Sequence, residues 1–221
     1  IACLQNNNQY QELSFEDVVN YVSPLVEDHE VYLYGSSLGG YCALYYAGAV
    51  NGTVIASAPR NSAHPLLIEY SENKSSFNRD QFKHHGFNNN RKTKKDIYIF
   101  FDSYVKIDVH FINELIKGNF DNLSLIDCKY AGHEVLYHLN KTKQLNNIID
   151  SIVNKTKVIV GNIDSTYTYI GKAKYYISVG EYEKSRYFSE KALEDDSVSE
   201  ATREKFKKVN RIAKRNLRNT I

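Results

Sequence analysis

Residues 31–46 read Val-Tyr-Leu-Tyr-Gly-Ser-Ser-Leu-Gly-Gly-Tyr-Cys-Ala-Leu-Tyr-Tyr. Val31 to Tyr34 is a β-prone apolar run, Gly35 to Gly39 forms a Gly-x-Ser-x-Gly turn, and Leu38 to Ala49 is proline-free and fits a buried helix. Strand, sharp turn and helix in that order are the context a nucleophile elbow requires. A serine hydroxyl is a poor nucleophile until a base takes its proton, so it has to stand exposed where an imidazole can reach it. Gly35 and Gly39 are expected to remove the Cβ atoms that would block the turn, with Ser37 at its apex. The helix N-terminus behind Ser37 offers N–H groups to a developing oxyanion. Leu38, the residue after the nucleophile, is the expected donor. Glycine and serine are common in loops, so the tripeptide alone also fits a plain connection. The two flanks weigh against that.

An elbow needs an acid and a histidine downstream, in the chain order Ser, Asp or Glu, His. Of the 7 histidines, His133 sits in a short Tyr130-Ala-Gly-His loop directly after an apolar strand, Leu123 to Cys128, and before a helical pattern, Glu134 to Val153. His138 falls inside that pattern, and His84 and His85 lie in a polar stretch, so surface or satisfied core positions are the default for the others. The strand Asp96 to Phe101 precedes two candidate acids, Asp102 at its end and Asp108 just before a helical pattern over Val109 to Lys117. A triad acid hangs on a loop that reaches toward the base, which favours Asp108 and keeps Asp102 as the alternate. Asp108 also suits a helix N-cap.

The stretches YGSSLGGYCAL, VIASAPRNS, FFDSYVKIDVHFINEL and YAGHEVLYHL resemble the C-terminal half of an α/β-hydrolase domain over about residues 14–153. More narrowly, they are similar to hydrolase-like proteins found with bacterial surface-polysaccharide genes. That resemblance implies a mostly parallel sheet and a Ser-Asp-His triad in an esterase or O-acetyltransferase. It places the base in the loop after the last strand, where His133 lies. The fold also has strands ahead of the elbow strand, one of which supplies a second oxyanion donor. Here only 30 residues precede Val31, with one short candidate strand at Ile1 to Leu4, and the chain begins with Ile. The expectation is a piece of a longer protein.

Upstream, Phe15 to Val26 reads as an amphipathic helix with Ser14 as N-cap, Asp17 three residues on, and Pro24 troubling its last turn. Thr53 to Ala58 is the strand after the elbow helix. Arg60 to Lys95 is polar, either a substrate-contacting insertion or a solvated loop. Its basic end, Arg91 to Lys95, is either a solvated face or a holder of an anionic glycan or phosphate.

From about Asp164, Tyr169, Ala173, Tyr176, Gly180, Tyr182, Ser185, Ala192 and Leu193 fall where a tetratricopeptide helix pair places its aromatic, small and turn residues, and the stretch GEYEKSRYFSEKALEDD is close to that consensus. Ser185 stands where Ala is usual and Ser197 where Pro is usual. Glu200 to Asn216 supplies a third, basic helix. Tyr176, Phe188, Ala192 and Leu193 are expected to be buried between the helices. One repeat buries its faces only against a neighbour. The unit is therefore either a hairpin packed on the preceding domain or a docking module for a protein partner or a second copy. The basic tail reads as a solvated face, with membrane-surface attachment the sharper alternative.

The expected organisation is α/β, with a hydrolase-like domain over residues 1–160 and a tetratricopeptide-like unit over residues 164–221. Cys3, Cys42 and Cys128 form neither a disulfide framework nor a zinc pattern, and no cofactor or metal is expected. A net charge of +2 gives no general attraction to nucleic acid. No apolar run is long enough to span a membrane and no signal peptide is visible, so a cytoplasmic location is expected. Two function classes follow: serine acyl chemistry on an ester, or a non-catalytic scaffold working through its helical repeat.

Overall fold

A computed structural model describes residues 9–70, 76, 78–85, 87, 89–161 and 165–219, without the side chains of residues 79 and 167. The candidate strand at Ile1 to Leu4, and Cys3 with it, lie outside the described residues. The chain divides into two compact units, Ile1–Asp127 and Cys128–Ile221.

The first unit is built on four strands, β1 (Tyr32–Ser36), β2 (Thr53–Ser57), β3 (Ile97–Phe101) and β4 (Leu123–Asp127), paired in chain order and all parallel. Parallel neighbours need crossovers. The β1–β2 crossover is α2 (Leu38–Val50), and α3 (Lys106–Phe111), extended by a π-helical turn over Ile112–Ile116, links β3 to β4. Because all four strands run the same way, their C-terminal ends share one edge. Ser37, Ala58, Asp102 and Cys128 each follow a strand end there.

α2 lacks a polar face. Tyr41, Ala43, Leu44, Tyr45, Tyr46, Ala47 and Ala49 are all buried. A helix apolar all round needs cover on every side. The sheet covers one side and α1 (Phe15–Tyr21) another. The polar stretch supplies more: His84 stacks on Tyr45 at 4.4 Å, Phe87 lies 5.3 Å from Tyr41, and Gln11 Oε1 accepts the His84 N–H at 3.2 Å. His84 is thus a core histidine, with Nε2 3.1 Å from the Leu13 carbonyl.

α1 begins with a full capping box. Ser14 Oγ accepts from the Asp17 N–H at 3.0 Å, and Asp17 Oδ2 accepts from the Ser14 N–H at 2.9 Å. The helix stops at Tyr21 rather than Val26, because Pro24 confines the next three residues to a 3-10 turn, Ser23–Leu25. Ser14→Ala removes the cap and should lower stability by about 1 kcal/mol in chemical denaturation.

In the second unit the single helix expected over Glu134 to Val153 is two, α4 (Val135–Lys141) and α5 (Leu145–Val153). Thr142 Oγ1 donates back to the His138 carbonyl at 2.9 Å and Lys143 turns left-handed at φ +58°, which ends the first. α6 (Thr166–Ser178) and α7 (Tyr182–Leu193) form a hairpin turning at Gly180, φ +77°, and α8 (Glu200–Arg218) packs on both. Ala192 and Phe206 are buried, whereas Tyr176, Phe188 and Leu193 are only half-buried. Ser185 uses its hydroxyl at the helix crossing, donating to the Ala173 carbonyl at 2.8 Å. Among the described residues no helix is long and apolar enough to cross a membrane.

His64 Nδ1 accepts the Leu66 N–H at 3.1 Å, capping the 3-10 turn Pro65–Leu67, and burial, with His85 nearby, pushes its pKa from 6.5 to about 4. The folded value lies below the unfolded one, so the unfolded chain takes up the proton first. The contribution of His64 is complete above about pH 6.5 and is lost as pH falls toward about 4. Stability measured by urea titration should fall across that window. His64→Gln should flatten the fall, and an unchanged slope would remove His64 as its source.

Candidate functional site

Ser37 joins β1 to α2 with φ +52° and ψ −120°, a conformation that L-residues avoid. Such strain persists only where neighbours over-determine it. Here they do. The Ser37 N–H donates to the Ser57 carbonyl at 2.9 Å, and the Ser37 carbonyl accepts from Tyr41 N–H at 2.9 Å and from Arg60 N–H at 3.1 Å. A second non-glycine residue, Ala58, has φ +39° at the adjacent strand end. The amide N–H groups of Leu38, Gly39 and Gly40 begin α2 and have no intrahelical acceptor.

The glycine roles differ from expectation. A Cβ on Gly35 would overlap the Gly39 carbonyl group, and one on Gly40 would lie 3.1 Å from the Gly35 oxygen and 3.3 Å from the Ser57 oxygen. A Cβ on Gly39 meets nothing within 4 Å. The turn therefore requires Gly35, is tight at Gly40, and stands open at Gly39.

Asp108 is not an N-cap. α3 starts earlier, at Lys106 with Val105 as cap, so Asp108 is its third residue and its N–H donates to the Val105 carbonyl at 3.0 Å. Its fully buried carboxylate accepts from Arg60 Nη1 at 2.8 Å. Asp102 is buried too, and its Oδ1 accepts the Tyr104 N–H at 3.0 Å in the turn that leads into α3. Ser37, Arg60, Asp102 and Asp108 thus share the C-terminal edge of the sheet. His133 belongs to the second unit. It is half-buried and ends a double turn in which Tyr130 and Gly132 take φ of +66° and +68°, immediately ahead of α4.

The chain matches no protein-family model, and no curated protein or solved structure matches it.

Other candidates resolve into structural roles. Arg91 donates from Nε to the Gly48 carbonyl and from Nη2 to the Ala49 carbonyl, each at 2.9 Å, so it satisfies the C-terminal end of α2. Lys92 lies 5.0 Å from the Phe120 ring centre. Burial pushes the Cys42 thiol up to about 12, which leaves it protonated and a weak nucleophile at neutral pH. Among the described residues no cluster of three or more His, Cys, Asp or Glu side chains could hold a metal ion. Sequence reasoning passed over Arg60, whose signal was its place in Ala58-Pro-Arg-Asn, directly past a strand end.

Proposed function

We propose that this chain is a serine-dependent acyl ester hydrolase or O-acyltransferase of the α/β-hydrolase type, acting on an acylated glycan or glycoconjugate. The observation that carries the reading is the strained, doubly clamped backbone of Ser37 between a parallel strand and a helix N-terminus. A plain connecting loop has no reason to hold a serine there, whereas an attacking hydroxyl has to be raised off the strand. Successive parallel strands that carry Ser37, then the aspartates, then the chain leading to His133 support the same reading.

In this mechanism Ser37 attacks the ester carbonyl. His133 takes the hydroxyl proton and returns it to the leaving alcohol. Asp108, with Asp102 as alternate, holds the imidazole in the right tautomer and stabilises its cation. An ionised carboxylate accepts at both oxygens, so the bond from Arg60 to Oδ1 is compatible with that role. The Leu38 N–H receives the oxyanion. Water or a sugar hydroxyl then resolves the acyl-enzyme. The test is covalent labelling with a neutral fluorophosphonate, followed by peptide mass spectrometry. Phosphonylation of Ser37 is the expected result. Labelling elsewhere, or none, supports instead a non-catalytic scaffold acting through α6–α8, in which the tetratricopeptide-like spacing serves a protein partner or self-association.

A further inference from the structure

Arg60 is held at both ends of the residue. Its N–H is bonded to the Ser37 carbonyl at 3.1 Å, and its Nη1 donates to Asp108 at 2.8 Å. The arginine side chain is 20 % exposed, while the carboxylate is 0 % exposed. Among the described residues the guanidinium bonds to Asp108 through Nη1, and the side chain that carries its other donors, Nε and Nη2, is partly exposed. A guanidinium is a rigid planar fork that matches the two oxygens of a carboxylate or phosphate. Anchored by a buried acid, it has already lost the rotamer freedom that an anion would otherwise have to remove. The Arg60–Asp108 pair is neutral overall, so recognition here would come from short-range hydrogen bonds rather than long-range steering.

We propose that Arg60 is a substrate-recognition residue, binding a carboxylate or phosphate carried by the ester whose carbonyl Ser37 attacks. The proposal rests on the acyl-ester reading above and narrows its substrate class to acidic or phosphorylated glycans over neutral ones.

The experiment measures the rate at which the neutral fluorophosphonate labels Ser37 in the full chain. Labelling runs in the presence of glucose, glucuronate or glucose 6-phosphate at one ionic strength. Glucuronate, glucose 6-phosphate or both should slow labelling about tenfold relative to glucose, as a charge-assisted hydrogen bond near the nucleophile would. The better protector tells a carboxylate from a phosphate. Arg60→Gln keeps the backbone bond to Ser37 but takes the guanidinium away from buried Asp108, so each variant is read against its own labelling rate without sugar, and on that reference neither anion should protect Arg60→Gln. Arg60→Lys, which keeps the charge without the fork, should retain part of the protection. Labelling that neither anion slows, or protection that survives in Arg60→Gln, overturns the proposal and leaves the acyl-ester reading standing. Failure to label Ser37 with no sugar present overturns both.

Discussion

On the acyl-ester chemistry proposed above, replacing Ser37 with alanine should abolish hydrolysis of a short acyl ester such as p-nitrophenyl acetate, with a loss of several orders of magnitude, because it removes the nucleophile on which the acyl-enzyme forms. The backbone makes a second substitution informative. Alanine keeps a Cβ at φ +52°, so its strain remains, whereas glycine adopts that conformation freely. Ser37→Gly should therefore be as inactive as Ser37→Ala yet melt higher, since strain of this kind costs about 1–3 kcal/mol. An inactive and stabilised variant would separate chemistry from folding. A Ser37→Gly protein that melts lower than wild type would show that the serine hydroxyl supports the fold, and would weaken the case for a strained nucleophile.

The largest structural effect is expected two residues earlier, at Gly35. Gly35→Ala places a methyl group against the Gly39 carbonyl, a backbone atom that cannot rotate away. Either α2 shifts or the turn opens, at a cost of about 3 kcal/mol and a melting temperature about 6–12 °C lower. Gly39→Ala, with no atom within 4 Å of its new methyl, should gain a few tenths of a kcal/mol from helix propensity. Differential scanning calorimetry of the two variants side by side decides the matter. Equal melting temperatures would mean that the turn is not packed against the helix start.

These two glycines show where reading a sequence stops. Strand, turn and helix around Ser37 are legible because apolar runs and glycines are local signals, and β1 to β4 fall within two residues of their expected bounds. Which glycine is sterically obligatory depends on how the helix start stacks on the strand, and no spacing rule encodes that. The split between α4 and α5 was hidden for another reason. Lys143 is no turn residue by type, and the stop comes from a threonine hydroxyl bonding back to its own helix. The pairing of Arg60 with Asp108 joins residues 48 positions apart; Asp108 stands out in the sequence as a candidate acid, but Arg60 reads as one residue of a polar stretch and nothing local marks the two as partners. The polar stretch misled by composition: it still sends Leu67, Phe82, His84 and Phe87 into the interior.

Arg91 gives that stretch a mechanical meaning. Its guanidinium closes the carbonyls at the end of α2, and its own backbone lies so close to Gly48 that a side chain there would collide with it. Asn51 adds a bond from the Lys94 N–H at 2.9 Å. The helix that presents Ser37 is thus terminated by residues more than forty positions along the chain. Such a splice isolates what it spans. Neither hydrogen bond of Arg91 involves residues 64–81, so a substitution at an exposed position there, such as Ile68, leaves the closure of α2 in place while the elbow keeps its foundation.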